Sequence, residues 1–230
     1  MRTVPAAAVI VLLPVLAAAP LQQAGATGPA ARVVSDFGDA GLNGWERESF
    51  EGQTDYRVVQ RDGRDVLRAE SRDAASGLVR RMQVDLDQTP VIHWSWFVEQ
   101  PLEGLAERTR EGDDYAARIY LVQSGGALFW RTRAVNYVWS GSQPAGASWP
   151  NAYTDRACMI AVRGSADETG IWYQESRDVR ADFRRCFGIE VGQVDAVALM
   201  TDTDNSGGEA IALYGEIRFA ATAEEDSAPR

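Results

Sequence analysis

Apolar and polar residues alternate along much of this chain, in short runs that are separated by Gly, Asp and Asn. In VIHWSWFV (residues 91–98), apolar residues at every second position alternate with a His and a Ser. A period of two is typical of a strand with one buried and one polar face. The same reasoning predicts strands at residues 32–37, 56–61, 65–71, 78–86, 91–98, 115–122, 128–139, 159–163, 170–176, 194–201 and 210–219.

The last of these runs, AIALYGEIRF, shows how the alternation assigns faces. It predicts a buried face made of Ile211, Leu213, Ile217 and Phe219. The other face, made of Tyr214, Glu216 and Arg218, is predicted to be polar. Strands with one buried face and one solvent-exposed face are typical of antiparallel sheets. So many short strands at this spacing predict an all-β fold, an antiparallel β-sandwich.

Helical signals are scarce in this sequence. One short helix is predicted at residues 179–187, with Asp178 as its N-cap and Gly188 just past its C-terminus. The charged connection at residues 102–112 is long enough for a single further turn of helix.

The N-terminus has the pattern of a secretory signal peptide. Arg2 precedes an apolar stretch at residues 4–19, and small residues at 24–26 suit a signal peptidase. The alternative is a membrane anchor, which is disfavoured because the stretch is interrupted by Pro and is short for a spanning helix. We therefore predict a signal peptide at 1–26, one β-sandwich domain at 27–221 and a disordered tail at 222–230. The protein is expected to be periplasmic or secreted, with no membrane span after the signal is removed.

Composition excludes several classes of function. The formal net charge is −10, which disfavours nucleic acid as a partner. All 23 basic residues are Arg, so no lysine can serve as a Schiff base or general base. One His and two Cys cannot supply the usual zinc ligands. Export would permit a disulfide between Cys158 and Cys186. In the alternative, Cys158 is a small buried hydrophobe and Cys186 merely sits in the helix.

Aromatic and planar polar side chains are concentrated between residues 129 and 153. The aromatic residues are Phe129, Trp130, Tyr137, Trp139, Trp149 and Tyr153, and the polar ones between them are Arg131, Arg133, Asn136, Gln143 and Asn151. Rings that stack on C–H faces, beside amides and guanidinium groups that bond hydroxyls, suit a sugar. The alternative is that the Trp residues fill the sandwich and brace the loop at 140–150.

An acidic loop, TDTDNSGG at residues 201–208, follows an apolar strand. Its alternating oxygen ligands suit a structural Ca²⁺ held by Asp202 and Asp204, or they could bind a ligand's hydroxyls; the alternative is a tight turn between two strands. Asp114 near Asp202 or Asp204 would make a carboxylate pair suited to acid–base work on a glycosidic bond. In the alternative, Arg118 neutralises an acidic strand entry.

Six segments follow one another along the chain: GDDYAARIYLV, FWRTRAVNYVWS, SWPNAYTD, MIAVR, VDAVALMTDTDNSGG and YGEIRF. In this order they resemble the bacterial exported family called domain of unknown function 3047. GLNGW, GRDVLRAES, SGLVRR and HWSWFVE extend the resemblance over nearly the whole mature chain. The family implies no assigned activity. More loosely, Ser35-Asp36-Phe37, Trp45 and residues 214–219 are similar in order to galactose-binding-like jelly rolls among carbohydrate-binding modules. That similarity implies a sandwich of jelly-roll type, and a fold alone gives no function.

Three functional hypotheses follow. The first is a non-catalytic β-sandwich that binds a glycan or other polar ligand of the cell envelope or environment. The second is a structural or partner-binding cell-envelope protein. The third is a polysaccharide hydrolase or lyase using Asp114, Asp202 or Asp204. No cofactor is expected apart from a structural Ca²⁺. The ligand-binding residues expected for the first hypothesis are Arg118, Trp130, Arg131, Asn136, Tyr137, Trp139, Trp149, Asn151, Asp202, Asp204 and Asn205.

Overall fold

A computed structural model describes residues 29–223. The predicted signal peptide and nearly all of the predicted tail lie outside these residues. The strands are β1 Arg32–Ser35, β2 Glu46–Glu51, β3 Asp55–Arg61, β4 Arg64–Arg72, β5 Ala75–Asp85, β6 Val91–Gln100, β7 Arg118–Gln123, β8 Arg133–Trp139, β9 Ser148–Pro150, β10 Ala157–Arg163, β11 Tyr173–Asp178, β12 Gln193–Asp202 and β13 Glu209–Ala220. The α-helix α1 spans Val179–Phe187, and 3₁₀ turns span Arg110–Gly112 and Phe129–Arg131.

The strands form two sheets. In the six-stranded sheet the order is β11-β6-β13-β4-β3, and β1 also pairs with β13. In the seven-stranded sheet the order is β2-β5-β12-β7-β8-β10-β9. Neighbouring strands are antiparallel except for the parallel pair β8 and β10. The predicted antiparallel β-sandwich of jelly-roll type, with one short helix among the described residues, is confirmed.

Large aromatic side chains fill the space between the two sheets. The inward residues of β6, Ile92, Trp94, Trp96 and Val98, are all buried there, as the period of two predicts. Trp94 of one sheet stacks on Tyr137 of the other, with ring centroids 5.2 Å apart. Because the core takes alternate residues of each strand, the remaining residues face outward.

The face assignment for β13 is wrong in its first half. Tyr214 is buried in the main core together with Ile217 and Phe219, whereas Leu213 packs on the opposite face, in a separate small cluster. The pairing of β13 with β6 shifts register between Tyr214 and Ile217. An irregularity of this kind changes the phase of the alternation, so one period cannot describe the whole strand.

The helix follows the sequence prediction at both ends. Asp178 Oδ1 accepts a hydrogen bond from Ala181 N at 2.9 Å, and Gly188 adopts a φ of 67° while its N–H donates to Arg184 O. Two strands were not predicted. All six residues of β2 are exposed, so no buried face marks it, and β9 has only three residues. Among residues 29–223, no helix is both long and apolar enough to cross a membrane.

Candidate functional site

A cleft of about 480 Å³ opens on the outer face of the seven-stranded sheet. It lies over β7, β8 and β12, because Tyr120, Asn136 and Met200 project outward where their neighbours along each strand enter the core. Charged, amide and aromatic side chains line it, namely Phe50, Asp113, Arg118, Tyr120, Asn136, Asn151, Tyr153, Asp202, Asp204 and Asn205. Six of the residues expected from the sequence are therefore brought together at one place.

Arg118 holds the floor of the cleft together. Its Nη2 lies 3.1 Å from Asp202 Oδ2 and 3.3 Å from Asp113 Oδ1, and it also donates to the Asp113 carbonyl. Nη1 donates to the Tyr120 hydroxyl at 2.6 Å. The guanidinium carbon is 4.2 Å from the centroid of the Tyr115 ring. With only 4% of its surface exposed, this side chain is fixed in one position.

Three carboxylates come together beside Arg118. One oxygen from each of Asp114, Asp202 and Asp204 lies within 4.8 Å of the others. Asp114 Oδ1 accepts from the backbone and side-chain amides of Asn205 at 3.2 and 3.0 Å, and its Oδ2 accepts from Ser206 N at 2.6 Å. Asp114 therefore holds the loop that follows β12 in place. The sequence predicted that Asp114 lies near Asp202 or Asp204, and the three residues are close together in the structure.

Burial raises the pKa of two of these carboxyl groups, those of Asp202 and Asp204. Desolvation raises the pKa of Asp202 well above its ordinary value, and the Arg118 cation opposes that rise. Desolvation and the nearby Asp114 charge also raise the pKa of Asp204. Both acids thus bind protons more tightly than exposed aspartates do, because an unneutralised charge is costly in a site shielded from water.

The donor set is a poor fit for the expected Ca²⁺. Both oxygens of Asp114 already accept N–H groups. Asp202 accepts from Tyr115 N at 3.3 Å and from the Arg118 guanidinium. Calcium needs six to eight free oxygen ligands, which this cluster does not offer. Calcium at Asp202 and Asp204 stays a sequence prediction that this geometry does not favour.

Two asparagines contribute amides to the cleft. Asn136 is 1% exposed, and its Oδ1 has no hydrogen-bond partner among the described residues. Asn151 Nδ2 donates to Asp113 Oδ2 at 2.8 Å, and Asn151 Oδ1 accepts from Tyr153 N at 3.0 Å. Asn151 therefore positions the start of the loop at residues 151–156, whereas Asn136 offers an unused acceptor.

The exposed rings of the cleft are Phe50 and Tyr153. They are 71% and 51% exposed, and the Tyr153 hydroxyl donates to Asn205 Oδ1 at 2.6 Å. Four charged or aromatic cleft residues were not among the ligand-binding residues predicted from the sequence, namely Phe50, Asp113, Tyr120 and Tyr153. The one signal that the sequence offers for Phe50 is that it is an isolated aromatic residue in the polar segment ERESFE.

The expected stacking residues need correction. Tyr137 and Trp139 are 0% and 3% exposed and lie between the two sheets. Trp149 is 4% exposed and packs with Tyr115 and Met159 on the outer side of the sheet. None of these three rings can stack on a ligand, because β8 sends Tyr137 and Trp139 into the core and the Trp149 ring, on β9, is covered by its neighbours. Trp130 and Arg131 lie in the 3₁₀ turn before β8 and do not line the cleft.

The two cysteines form a disulfide, one of the two states that the sequence left open. It joins Cys158 on β10 to Cys186 in α1. The helix is thereby tied to the strand beside the cleft residue Ala157.

Fold and site together define an antiparallel β-sandwich with a charged cleft on the outer face of one sheet. The chain belongs to the family described as "Protein of unknown function (DUF3047)", whose model matches residues 43–218. No curated protein matches the sequence.

Several solved structures have a low similarity to this chain. The family 30 carbohydrate-binding module of a cellulosomal cellulase of Clostridium thermocellum has a TM-score of 0.45 and 9% identity, over 86% of this chain and 96% of that one. The xyloglucanase domain of a type three effector from Sinorhizobium fredii has a TM-score of 0.44 and 8% identity, over 77% and 93%. The Endo-D glycoside hydrolase domain of Streptococcus pneumoniae R6 has a TM-score of 0.42 and 8% identity; it matches 79% of this chain, which spans only 22% of that one. Similarities this low support no argument about function.

Proposed function

We propose that the protein binds a glycan in the cleft on the outer face of the seven-stranded sheet and catalyses no reaction. The observation that carries this proposal is the arrangement of the cleft. The exposed rings of Phe50 and Tyr153 border a floor of buried polar groups that includes Arg118 and Asn136. A sugar has apolar C–H faces and a rim of hydroxyls, so it can use both the rings and the floor.

The positions of the carboxylates support binding over catalysis. Asp114 does not line the cleft, and its oxygens are engaged by the loop at Asn205 and Ser206. Asp202 is 2% exposed and paired with Arg118. A glycosidase needs two carboxyl groups that flank the scissile bond, and here only Asp204 is partly open to solvent.

A glycan array followed by titration calorimetry tests the proposal. We expect Phe50→Ala to weaken binding of a glycan hit by about fivefold, since a stacking ring contributes on the order of 1 kcal/mol. The matched control is Ile171→Ala, another exposed apolar residue that does not line the cleft. No binding of any glycan at millimolar concentration contradicts the proposal. A protein partner that co-purifies with the wild type and is lost with Phe50→Ala would instead favour the partner-binding envelope protein.

A polysaccharide hydrolase or lyase is the second candidate. The observation in its favour is that Asp202 and Asp204 have raised pKa values and lie close to Asp114, as pairs of catalytic carboxyls often do. Its test is product release from a polysaccharide panel. Release that Asp204→Asn abolishes would place this candidate above non-catalytic binding, and no release from any substrate removes it.

We infer also that the protein is exported, to the periplasm or the medium. The signal-like sequence at residues 1–26 supports this, and so does the disulfide Cys158–Cys186, since such bonds persist in oxidising compartments. Cell fractionation with N-terminal sequencing tests it. A cytoplasmic protein that retains residue 1 contradicts the inference.

A further inference from the structure

The charges that line the cleft do not balance. Asp113, Asp202 and Asp204 contribute three carboxylates, and Arg118 is the only cation among the described residues that line the cavity. Asp114 adds a further carboxylate directly behind them. Asp113, Asp202 and Arg118 are each at least 95% buried. An excess of negative charge in a site shielded from water is costly unless protons or a cation compensate it.

A proton or a fixed metal ion is not the only means of compensation. Burial raises the pKa values of Asp202 and Asp204, and the neighbouring Asp114 carboxylate adds to both rises. The engaged oxygens of Asp114 leave a metal ion few free ligands. A cationic group of a ligand could approach from the open side of the cleft. It would reach Asp204, which is the acid of this cluster that is partly exposed.

Two of the three buried polar atoms of the cleft residues that have no hydrogen-bond partner within residues 29–223 are acceptors, and the third, Arg118 Nε, is a donor. Asn136 Oδ1 is buried and has no partner among the described residues. Asp113 Oδ1 makes only an ion-pair contact, 3.3 Å from Arg118 Nη2. Both atoms are acceptors, so a bound ligand must supply donors to satisfy them. Hydroxyl and ammonium groups do so, whereas the carboxylate, sulfate or phosphate groups of an acidic glycan do not.

The rings around the cleft also suit a cation. The hydroxyl of Tyr153 donates a hydrogen bond to Asn205 Oδ1, so this ring lies beside the acidic loop at residues 201–208. Phe50 is on the edge strand β2 and most of its surface is open to solvent. The guanidinium of Arg110 already lies over the Tyr153 ring, 5.1 Å from its centroid, so the open face for an ammonium group is that of Phe50. Such a face attracts a cation at a distance of about 6 Å or less.

We propose that this cleft selects a glycan with a free, protonated amine, an unacetylated amino sugar, over neutral and acidic glycans of the same backbone. This inference rests on the proposed function and names the class of glycan. The amine lies near Asp204, and the hydroxyls of the sugar donate to Asn136 and the other open acceptors of the floor. An acidic glycan is repelled by the excess carboxylates.

A matched set of three tetrasaccharides tests the selectivity. The β-1,4-linked tetramers of glucosamine, N-acetylglucosamine and glucose differ only in the amine, acetamide or hydroxyl at one carbon of each ring. We expect the glucosamine tetramer to bind at least about tenfold more tightly than the glucose tetramer at neutral pH and low salt. That preference should shrink as salt is added, because screening weakens attraction between charges near the surface.

Variants locate the source of the preference. Asp204→Asn should reduce the ratio of glucosamine to glucose affinity at least about fivefold, because it removes the accessible carboxylate. Asp39→Asn, which changes an exposed acid that does not line the cleft, should leave both affinities as in the wild type. The salt dependence of the wild type supplies a second readout that requires no variant.

The outcomes separate this inference from the proposed function. If the glucose tetramer binds as tightly as the glucosamine tetramer, the selectivity is overturned and glycan binding stands. A preference that survives in Asp204→Asn and at high salt also overturns it, since the charge of the cleft would then play no part. If none of the three tetramers binds but the glycan array gives another hit, the selectivity is overturned and glycan binding stands. If the array gives no hit either, both proposals are overturned.

Discussion

The carboxylate of Asp202 lies 3.1 Å from the guanidinium of Arg118, and both side chains are about 95% buried or more. The two residues lie far apart in the sequence but on neighbouring strands of one sheet, where Arg118 is opposite Met200. A buried pair of this kind gains little over an apolar pair of the same size, but breaking it leaves an uncompensated charge. The pair therefore fixes the floor of the cleft more than it stabilises the fold.

Removing one partner of this pair should destabilise the protein. We expect Asp202→Asn to lower the free energy of unfolding by about 3 kcal/mol, because Arg118 keeps only Asp113 as a charged partner. Urea unfolding followed by tryptophan fluorescence measures the change. Asp39→Asn is the control and should stay within about 0.5 kcal/mol of the wild type. An equally small effect of Asp202→Asn would show that the pair is hydrated in solution.

The pH dependence of stability should carry a contribution from Glu107. Its carboxylate accepts from Gly141 N at 2.7 Å and from Ser142 N at 3.1 Å. Burial nevertheless raises its pKa above 4.5. Between 4.5 and that raised pKa, the folded protein binds a proton that the unfolded chain releases. The stability contributed by protonated Glu107 is therefore present at acid pH and is lost as pH rises through the raised pKa.

Comparison with Glu107→Gln checks this sign. Unfolding free energies measured from acid to neutral pH should fall less steeply with rising pH in Glu107→Gln than in the wild type, because the amide does not titrate. Identical slopes in the two proteins would remove Glu107 as the source.

One glycine near Glu107 should not tolerate a side chain. A Cβ at Gly141 would lie 1.6 Å from the carbonyl oxygen of Leu102, so the backbone must move. We expect Gly141→Ala to cost about 2 to 3 kcal/mol. Gly192→Ala is the matched control, since a Cβ there meets nothing within 4 Å and should change stability by less than about 0.5 kcal/mol. Thermal unfolding of both variants distinguishes them, and equal melting temperatures would contradict the close approach.

The disulfide should contribute substantially to stability. Cys158 and Cys186 are separated by 28 residues, and closing a loop of that length stabilises the folded state by about 3 to 4 kcal/mol in the chain-entropy model. The double variant Cys158→Ala/Cys186→Ala should show this loss in urea unfolding. Reductant should lower the stability of the wild type but not of the variant. A wild type that is indifferent to reductant, and two thiols that alkylate without it, would contradict the bond.

Two aromatic residues of the same stretch should behave in opposite ways. Trp139→Ala should lower the free energy of unfolding by about 3 to 5 kcal/mol, because its ring is buried between the sheets. Tyr153→Ala should leave stability nearly unchanged and should weaken ligand binding by about fivefold, because its ring is exposed at the cleft. Calorimetry and urea unfolding of both variants test this. A stable Trp139→Ala with impaired binding would reverse the assignment.

Much of the fold could be predicted from local sequence patterns. Alternation predicted β6 and its inward face, and the capping residues Asp178 and Gly188 marked both ends of α1. The strand β2 was not predicted, because it is an edge strand with every residue exposed and therefore has no buried apolar face. The face assignment of β13 failed where its pairing with β6 shifts register, and a shift of this kind leaves no mark in the pattern of apolar residues.

The residues of the cleft could be predicted only in part from the sequence. Arg118, Asn136, Asp202 and Asp204 were expected and do converge on one cleft. The expected stacking rings were misplaced, since a cluster of aromatic residues gives no indication of which side of a sheet each ring takes. Asp113 and Phe50 went unnoticed as ligand-binding residues, because only the pairing of distant strands brings them to the same cavity.

Local sequence thus decided which segments are strands, where the helix lies and which chemical groups are available, because hydrophobic alternation, capping and side-chain chemistry act between near neighbours. The face that each side chain occupies and the partners that it meets were decided by strand register and sheet order. These depend on contacts between residues far apart in the chain. For that reason a buried guanidinium, a cluster of carboxylates and two exposed rings become a single cleft only in the folded molecule.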